Sequence, residues 1–152
     1  MALVEPHGDD RADVRKVLFS GWGTADTHAG PSSLRYGFDN WVYGAVGYSG
    51  FRGNVGGKDV RFGQALFRFK PDGSALEFLS STSNNTWGLS FGETGQLFAS
   101  TANNDHSVFL AIPNRYYEQV RGWTVKRLEN IADTSRFYAI TDKVRQVDQH
   151  QH

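Results

Sequence analysis

Two stretches of this 152-residue chain repeat each other at a constant offset in sequence. In both, apolar residues flank a turn of four positions that contains glycine. The matched pairs are Leu34 with Leu89, Tyr36 with Phe91, Gly37 with Gly92, Asn40 with Gly95, Val42 with Leu97 and Tyr43 with Phe98, each with the offset 89 − 34 = 55. Apolar residues at equal positions around a turn of equal length indicate that one β-hairpin is used twice.

A different hairpin lies between the two copies. Lys70-Pro71-Asp72-Gly73 is a strong turn signal, because proline presets φ at one turn position and glycine supplies a positive φ at another. It joins a strand predicted over 62–69 to one predicted over 75–79. Two hairpins per repeat make a four-stranded antiparallel unit, which is typical of a β-propeller blade.

The sequence therefore predicts an all-β partial β-propeller of two to three four-stranded antiparallel blades. With one blade per repeat, the chain is too short for three full blades, so we expect a fragment or a protomer that must assemble. The alternative is a self-contained β-sandwich in which the likeness of the hairpins is coincidental. The expected organisation is a polar lead over 1–13, the partial propeller over 14–148 and a tail over 149–152.

The segments around these hairpins carry weaker signals. We expect a strand at 17–19 followed by a turn at 20–23, and a strand at 108–112. The glycine-rich stretch 47–57 is too poor in large side chains to form core, and 53–58 is interpreted as a flexible loop. Strand and short-helix interpretations compete over 116–139.

Composition excludes several classes of function. Lys and Arg total 16 and Asp and Glu total 16, so no long-range positive field attracts phosphates, and we expect no nucleic-acid partner. The sequence has no Cys, which excludes disulfides, thiolate nucleophiles and Cys-based zinc sites. No apolar run approaches the roughly 18 residues of a membrane-spanning helix, so no direct membrane span is expected.

Two motifs carry a resemblance to a known family. The stretch from Asp26 to Tyr43, DTHAGPSSLRYGFDNWVY, resembles the His-containing blade of soluble quinoprotein glucose dehydrogenases and sorbosone dehydrogenases. It is similar in particular to proteins of planctomycete-type bacteria described as membrane-bound dehydrogenases, which set such a propeller beside cytochrome c-like modules. The stretch from Ser83 to Phe91, SNNTWGLSF, resembles a later blade of the same family. The resemblance covers roughly residues 14 to 147.

The resemblance implies a six-bladed, TolB-like propeller whose axial funnel binds pyrroloquinoline quinone. It implies oxidation of an alcohol or sugar, in which a histidine takes the substrate hydroxyl proton while hydride passes to the quinone. His28 matches that catalytic histidine, and Asn84 and Asn85 match the cofactor-binding positions. A cytochrome c-like module as partner and a periplasmic or secreted location are implied in the same way.

Three departures from the family pattern weaken this expectation. Thr27 stands where the sugar dehydrogenases carry an acidic residue, and Asn84 stands where they carry an arginine that pairs with the quinone's negative charge. The calcium-binding Gly-Pro segment is replaced by 101–106, so no metal is assigned and calcium stays open. The alternative function is a non-catalytic propeller module that binds glycan or protein beside an electron-transfer or anchoring domain.

Residue chemistry adds an independent argument for His28. A neutral imidazole is a suitable base near pH 7, and the repeat places Ser83 at the equivalent position, so the fold itself does not demand histidine there. In extended chain Asp26 would point the same way as His28 and orient it. The structural alternative is a histidine that bonds a backbone carbonyl.

Other polar and aromatic residues have simpler interpretations. The residues at 103–106 can line a site, but Asn and Asp favour turns. His150 and His152 can share a metal, although a terminal His-x-His is often incidental. Several aromatic residues can stack on sugars, but core is the expectation for most of them: Trp22, Tyr36, Trp41, Tyr43, Tyr48 and Phe51.

Overall fold

The computed structural model describes residues 2–4, 14–102, 104–122 and 128–131, and these are almost entirely antiparallel strands and turns. The strands are β1 Ala2–Val4, β2 Val14–Lys16, β3 Pro31–Tyr36, β4 Val42–Val46, β5 Phe51–Val55, β6 Lys58–Phe62, β7 Ala65–Phe69, β8 Leu76–Ser81, β9 Thr86–Phe91, β10 Leu97–Thr101, β11 Val108–Leu110 and β12 Leu128–Asn130. Two 3₁₀ turns are η1 Thr27–Ala29 and η2 Asn114–Tyr116. No helix among the described residues is long and apolar enough to span a membrane.

Eight of the strands form two four-stranded sheets in chain order, and β1–β2 and β5–β6 form two separate antiparallel pairs. The first sheet has the order β3-β4-β7-β8, and the second has the order β9-β10-β11-β12. All the strand pairs in both sheets are antiparallel. The predicted all-β class is confirmed, and the chain is a partial propeller whose described part holds two blades.

The strand register explains the repeat and its limit. Tyr43 and Phe98 are one repeat apart, since 98 − 43 = 55, and they pair with Arg68 and Phe109 respectively. Arg68 and Phe109 are closer together in sequence, since 109 − 68 = 41. The shortfall, 55 − 41 = 14, is the length of an insertion in the first sheet that contains the hairpin β5–β6.

That insertion corrects the prediction for the glycine-rich stretch. Residues 53–58 are not a flexible loop, because they form parts of β5 and β6 with a turn at Gly56 and Gly57. Phe51, Val55 and Phe62 of this hairpin are buried in a core cluster with residues of β4, β7 and β8. The strand predicted over 62–69 is in fact two strands, with a break at 63–64 where the chain enters the first sheet.

The N-terminal segment also differs from its prediction. The segment 17–19 is not a strand; its Leu18 and Phe19 instead pack against the core beside the β5–β6 hairpin. Trp22 forms an isolated bridge with Phe51. Gly21 and Gly23 flank Trp22. A Cβ at Gly21 would overlap the Arg52 carbonyl, and a Cβ at Gly23 would overlap the Ser49 carbonyl. The two glycines therefore let the segment lie against β5.

Two core clusters lie on opposite faces of the first sheet. One lies between this sheet and the β5–β6 hairpin, and the other lies between the two four-stranded sheets. The cluster between the sheets contains Ala45, Leu66, Leu79, Leu89, Leu97, Ala99, Val108 and Leu110. Both faces of the first sheet are therefore apolar and covered, like the inner layer of a three-layer stack.

The C-terminal predictions differ in part from the observed strands. The strand predicted over 108–112 ends at Leu110, and the region of competing interpretations, 116–139, contains β12 and only the last residue of η2. Three parts of the predicted organisation lie outside the described residues: most of the lead over 1–13, the segment 132–148, and the tail with His150 and His152.

Candidate functional site

The first strands of the two sheets lie side by side. Ser33 on β3 donates its hydroxyl to the Trp87 carbonyl at 2.7 Å, and Arg35 Nε donates to the Leu89 carbonyl at 3.1 Å. Because β3 and β9 start at the same end, the segments that precede them meet at one edge of the molecule. These segments and the turn after β4 form the strand-start site: Asp26, His28, Gly47, Tyr48, Ser49, Asn84 and Asn85.

Three consecutive residues after β4 connect the two segments. Ser49 bonds the segment before β3, with its amide donating to the Ala29 carbonyl and its hydroxyl to the Asp26 carbonyl at 2.6 Å. Tyr48 donates its hydroxyl to Asn84 Oδ1 at 2.6 Å. Gly47 lies against Asn85, whose side-chain oxygen a Cβ at Gly47 would overlap. The turn thus fixes the predicted site residues relative to one another.

His28 lies on the first of these segments and is accessible to solvent. Its side chain is 86% exposed, and its Nδ1 lies 3.7 Å from Asp26 Oδ1. The chain here is the 3₁₀ turn η1 rather than the extended chain expected from sequence. Asp26 is nevertheless beside His28, because its carboxylate caps η1 by accepting from the His28 amide at 3.0 Å. His28 can therefore be approached by a ligand and oriented by Asp26.

Asn84 is the most restricted side chain of the site. It is 9% exposed, and its Oδ1 accepts both the Tyr48 hydroxyl and the Asn85 amide at 2.6 Å each. With the oxygen occupied by two donors, the amide nitrogen is the group of Asn84 that can still address a ligand. The predicted position is thus held rigidly and presents a hydrogen-bond donor.

Asn85 has a different environment. Its Oδ1 is buried over Gly47 and makes no hydrogen bond to the described residues. Its backbone carbonyl accepts from the Ala102 amide at 2.7 Å, which ties β9 to the end of β10. A buried oxygen without a donor is costly in a folded protein, so it indicates an additional donor such as water or a ligand.

The segment 101–106 closes the other side of the site as a turn. Thr101 accepts the Asp105 amide at 3.2 Å through its hydroxyl, and the Thr101 amide donates to the Asp105 carbonyl at 3.0 Å. Ser83 donates to the Asp105 carboxylate. The turn interpretation is confirmed for the described part of this segment, and Asn103 lies outside it.

The strand-start site contains no positively charged Lys or Arg side chain among its defining residues. The carboxylates are Asp26 in the site and Asp105 in the adjoining turn, and no Lys or Arg side chain hydrogen-bonds to them or to the His28 imidazole within the described ranges. The described residues contain no group of three or more His, Cys, Asp and Glu that can hold a metal ion. The remaining groups are amides and hydroxyls, which suit an uncharged polar ligand.

Tyr48 is the site residue that the sequence reasoning missed. It was expected in the core with the other aromatic residues, but it is 53% exposed and bonds Asn84. Phe51 is buried as expected and Trp22 packs partly buried against the core, whereas Tyr36 is also exposed. Its position after the buried strand β4, at the edge where β3 starts, is a signal for exposure but not for its bond to Asn84.

Comparison with known proteins gives a match at the level of a family. A family model described as a domain of unknown function, DUF7133, matches residues 1–152. No curated protein and no solved structure matches the chain.

Proposed function

This chain belongs to the DUF7133 family, and from its strand-start site we propose that it is a dehydrogenase-like propeller module that binds the hydroxyl groups of an alcohol or sugar. The observation that carries the proposal is that one turn, 47–49, joins exposed His28 to the buried and fixed amide of Asn84. Two residues that are distant in sequence thereby face the same edge.

The groups at this edge complement a polyol. A hydroxyl both donates and accepts a hydrogen bond, and the site offers the Asn84 amide nitrogen as donor and the Asp26 carboxylate as acceptor. Tyr48 is half exposed, and its ring gives a surface on which a sugar ring can stack while its hydroxyl stays bonded to Asn84. The proposed ligand is therefore an uncharged polyhydroxylated molecule.

His28 supplies the chemistry that an oxidation would need. In alcohol oxidation a base takes the hydroxyl proton as the carbon loses hydride to a two-electron acceptor. An exposed imidazole with a carboxylate 3.7 Å from Nδ1 leaves Nε2 directed away from Asp26 for that proton. His28 is thus the proposed proton acceptor, with Asp26 as the residue that positions it.

Pyrroloquinoline quinone fits the described residues poorly. The quinone carries carboxylates, which proteins usually hold with Arg or Lys. Asn84 replaces the expected arginine, and Asp26 and Asp105 would repel a nearby anion. We therefore derive no step through this cofactor, and a cytochrome c-like partner and a periplasmic or secreted location remain parts of the proposal.

The same lack of cations favours a second candidate, a module that binds glycan without oxidising it. The half-exposed Tyr48 ring and the fixed Asn84 amide would serve such binding as well. In that case His28 would be a hydrogen-bonding residue rather than a base.

One experiment separates the two candidates. The chain is titrated with a panel of sugars and alcohols by saturation-transfer NMR and is then assayed with an artificial electron acceptor. We expect the wild-type chain to bind a ligand of the panel and to reduce the acceptor. His28→Ala should lose acceptor reduction but keep binding within about threefold, because Asn84 and Tyr48 remain in place. The variant should fold, since the His28 side chain is solvent-exposed and its loss costs little stability.

Lys58→Ala is the control, since Lys58 is also exposed but lies at the turn of the β5–β6 hairpin, outside the strand-start site. It should leave both binding and reduction unchanged. Binding without acceptor reduction would select the glycan-binding module. Absence of binding across the panel would overturn both candidates.

A further inference from the structure

A cleft lies at the opposite end of β3 and β9 from the strand-start site, where each strand runs into its hairpin turn. It has a volume of about 450 Å³ and is lined by Phe38, Asp39, Tyr43, Phe91, Glu93, Thr94 and Gly95. A strand of six residues is about 20 Å long, so this turn-end cleft is distant from the strand-start site. Its volume is within the range of small-molecule sites.

Aromatic rings form the walls of the turn-end cleft. Phe91 lies between two rings from the first sheet, with centroids 6.0 Å from Phe38 and 5.0 Å from Tyr43, both edge to face. Phe38 also lies over Gly95, a turn residue with φ of 79°. Phe38 is nevertheless 79% exposed, so much of its ring is free to contact a ligand.

The carboxylates around the cleft differ in their ion pairs. Arg68 pairs with Asp39 at 2.7 Å and with Glu77 at 2.6 Å, and Arg115 pairs with Glu77 at 2.9 Å. Glu93 is the second carboxylate that lines the cleft; it is exposed and forms no ion pair with the described residues. The cleft therefore offers a carboxylate without an ion pair beside exposed aromatic surface.

Asp39 keeps its charge in this arrangement. Burial tends to raise the pKa of its carboxyl, but hydrogen bonds from the Tyr43 hydroxyl and the Trp41 amide, together with the Arg68 charge, lower the pKa below its usual value. The Asp39 carboxylate at the rim is thus anionic at neutral pH.

We propose that the turn-end cleft binds a small organic cation, an alkylammonium whose head lies near Glu93 and whose apolar part contacts Phe38 and Phe91. Aromatic rings beside carboxylates are the usual recognition chemistry for ammonium groups, because the ring quadrupole and the anionic charge both attract a weakly hydrated cation. Nothing in the proposed sugar or alcohol binding requires this cleft, so the two proposals are independent.

The test compares two probes of the same shape. Choline and its neutral analogue 3,3-dimethyl-1-butanol are titrated into the full chain, and backbone amide NMR shifts are followed at Gly95 and Phe38. We expect choline to bind about fivefold more tightly or better, with shifts at these two amides. Equal affinity of the two probes, or shifts elsewhere only, would overturn the proposal.

Two variants locate the effect. Glu93→Gln should weaken choline binding about three- to fivefold and leave the neutral analogue unchanged, and Phe38→Leu should weaken both by removing the ring. Glu118→Gln, another exposed carboxylate, is the matched control and should change neither. Unchanged choline affinity in Glu93→Gln would overturn the charge argument.

Discussion

The two four-stranded sheets use the same repeat, but they are covered differently. Both faces of the first sheet are covered, by the β5–β6 hairpin with Trp22 on one side and by the second sheet on the other. For the second sheet, the described residues cover only the face that meets the first sheet. The hairpin therefore occupies, against the first sheet, the place that the first sheet occupies against the second.

Equivalent residues show how far this substitution extends. Val42 and Leu97 are equivalent and both are buried, but Leu34 is 55% exposed where its equivalent Leu89 is 5% exposed. The hairpin thus covers β4, β7 and β8 and leaves β3 open, whereas a whole sheet also covers the first strand of its neighbour. The outer side of the hairpin carries Arg52, Asn54, Asp59 and Arg61, which are exposed, as expected of a cap with a polar outer face.

The largest expected effect tests whether the hairpin builds a real core. Phe67 and Val108 occupy equivalent positions and both are fully buried, Phe67 under the hairpin and Val108 between the sheets. Phe67→Ala should lower the free energy of unfolding by about 3–5 kcal/mol, since it empties the space beside Trp22 and Phe62. Val108→Ala should cost about 2 kcal/mol. Urea unfolding measures both.

A smaller loss for Phe67→Ala than for Val108→Ala would contradict this account of the first sheet. It would mean that the hairpin covers the first sheet loosely and contributes little to stability. The wild-type unfolding transition should be single, because the hairpin and both sheets share one continuous set of contacts.

The next effect tests the exposed first strand. Leu89→Ala should cost about 2–4 kcal/mol, as expected for a buried leucine, and Leu34→Ala should cost less than about 1 kcal/mol because most of the side chain is already in water. Both variants remove the same atoms from equivalent positions, so their difference reports only the covering layer. Thermal or urea unfolding of the pair gives this difference directly, and equal losses would show that another part of the molecule covers β3.

Local signals in the sequence accounted for most of the strands. The Pro71-Asp72-Gly73 turn and the repeated hairpin predicted six of the eight strands of the two sheets, because turn chemistry and apolar periodicity act over a few residues. The β5–β6 hairpin escaped because its large apolar side chains are sparse: Phe51 and Phe62 lie at its two ends, with mostly glycine and polar residues between them. Burial of such strands depends on the sheet they cover.

The residues of the strand-start site likewise differ in whether local sequence signals indicate them. His28 could be singled out, because it is a histidine at a repeat position that elsewhere holds Ser83. The role of Tyr48 could not be recognised from local signals, because its bond to Asn84 joins residues 36 positions apart and exists only once the two sheets have packed. The turn-end cleft is of this second kind too, since it combines turns from both sheets.

The smallest effect concerns pH, and it again separates the two sheets. Asp39, Tyr43 and Arg68 form a hydrogen-bonded ionic group in the first sheet, and their equivalents in the second are Thr94, Phe98 and Phe109, which do not ionise. The pKa of Asp39 is lowered in the folded chain, so below its ordinary value the unfolded chain binds more protons than the folded chain. The stability from Asp39 is therefore complete above about pH 4 and is lost as pH falls further.

Asp39→Asn should flatten this loss when urea unfolding is measured between about pH 3 and pH 7. Some acid sensitivity should remain, because the hydroxyl and amide of Ser74 hydrogen-bond Asp72 in the β7–β8 turn and lower the pKa of that carboxyl as well. Thr94→Asn at the equivalent position of the second sheet is the control and should leave the slope unchanged, because neither side chain ionises. If Asp39→Asn had the wild-type slope, the ionic group of the first sheet would not contribute to stability, and the two sheets would differ only in their apolar covering.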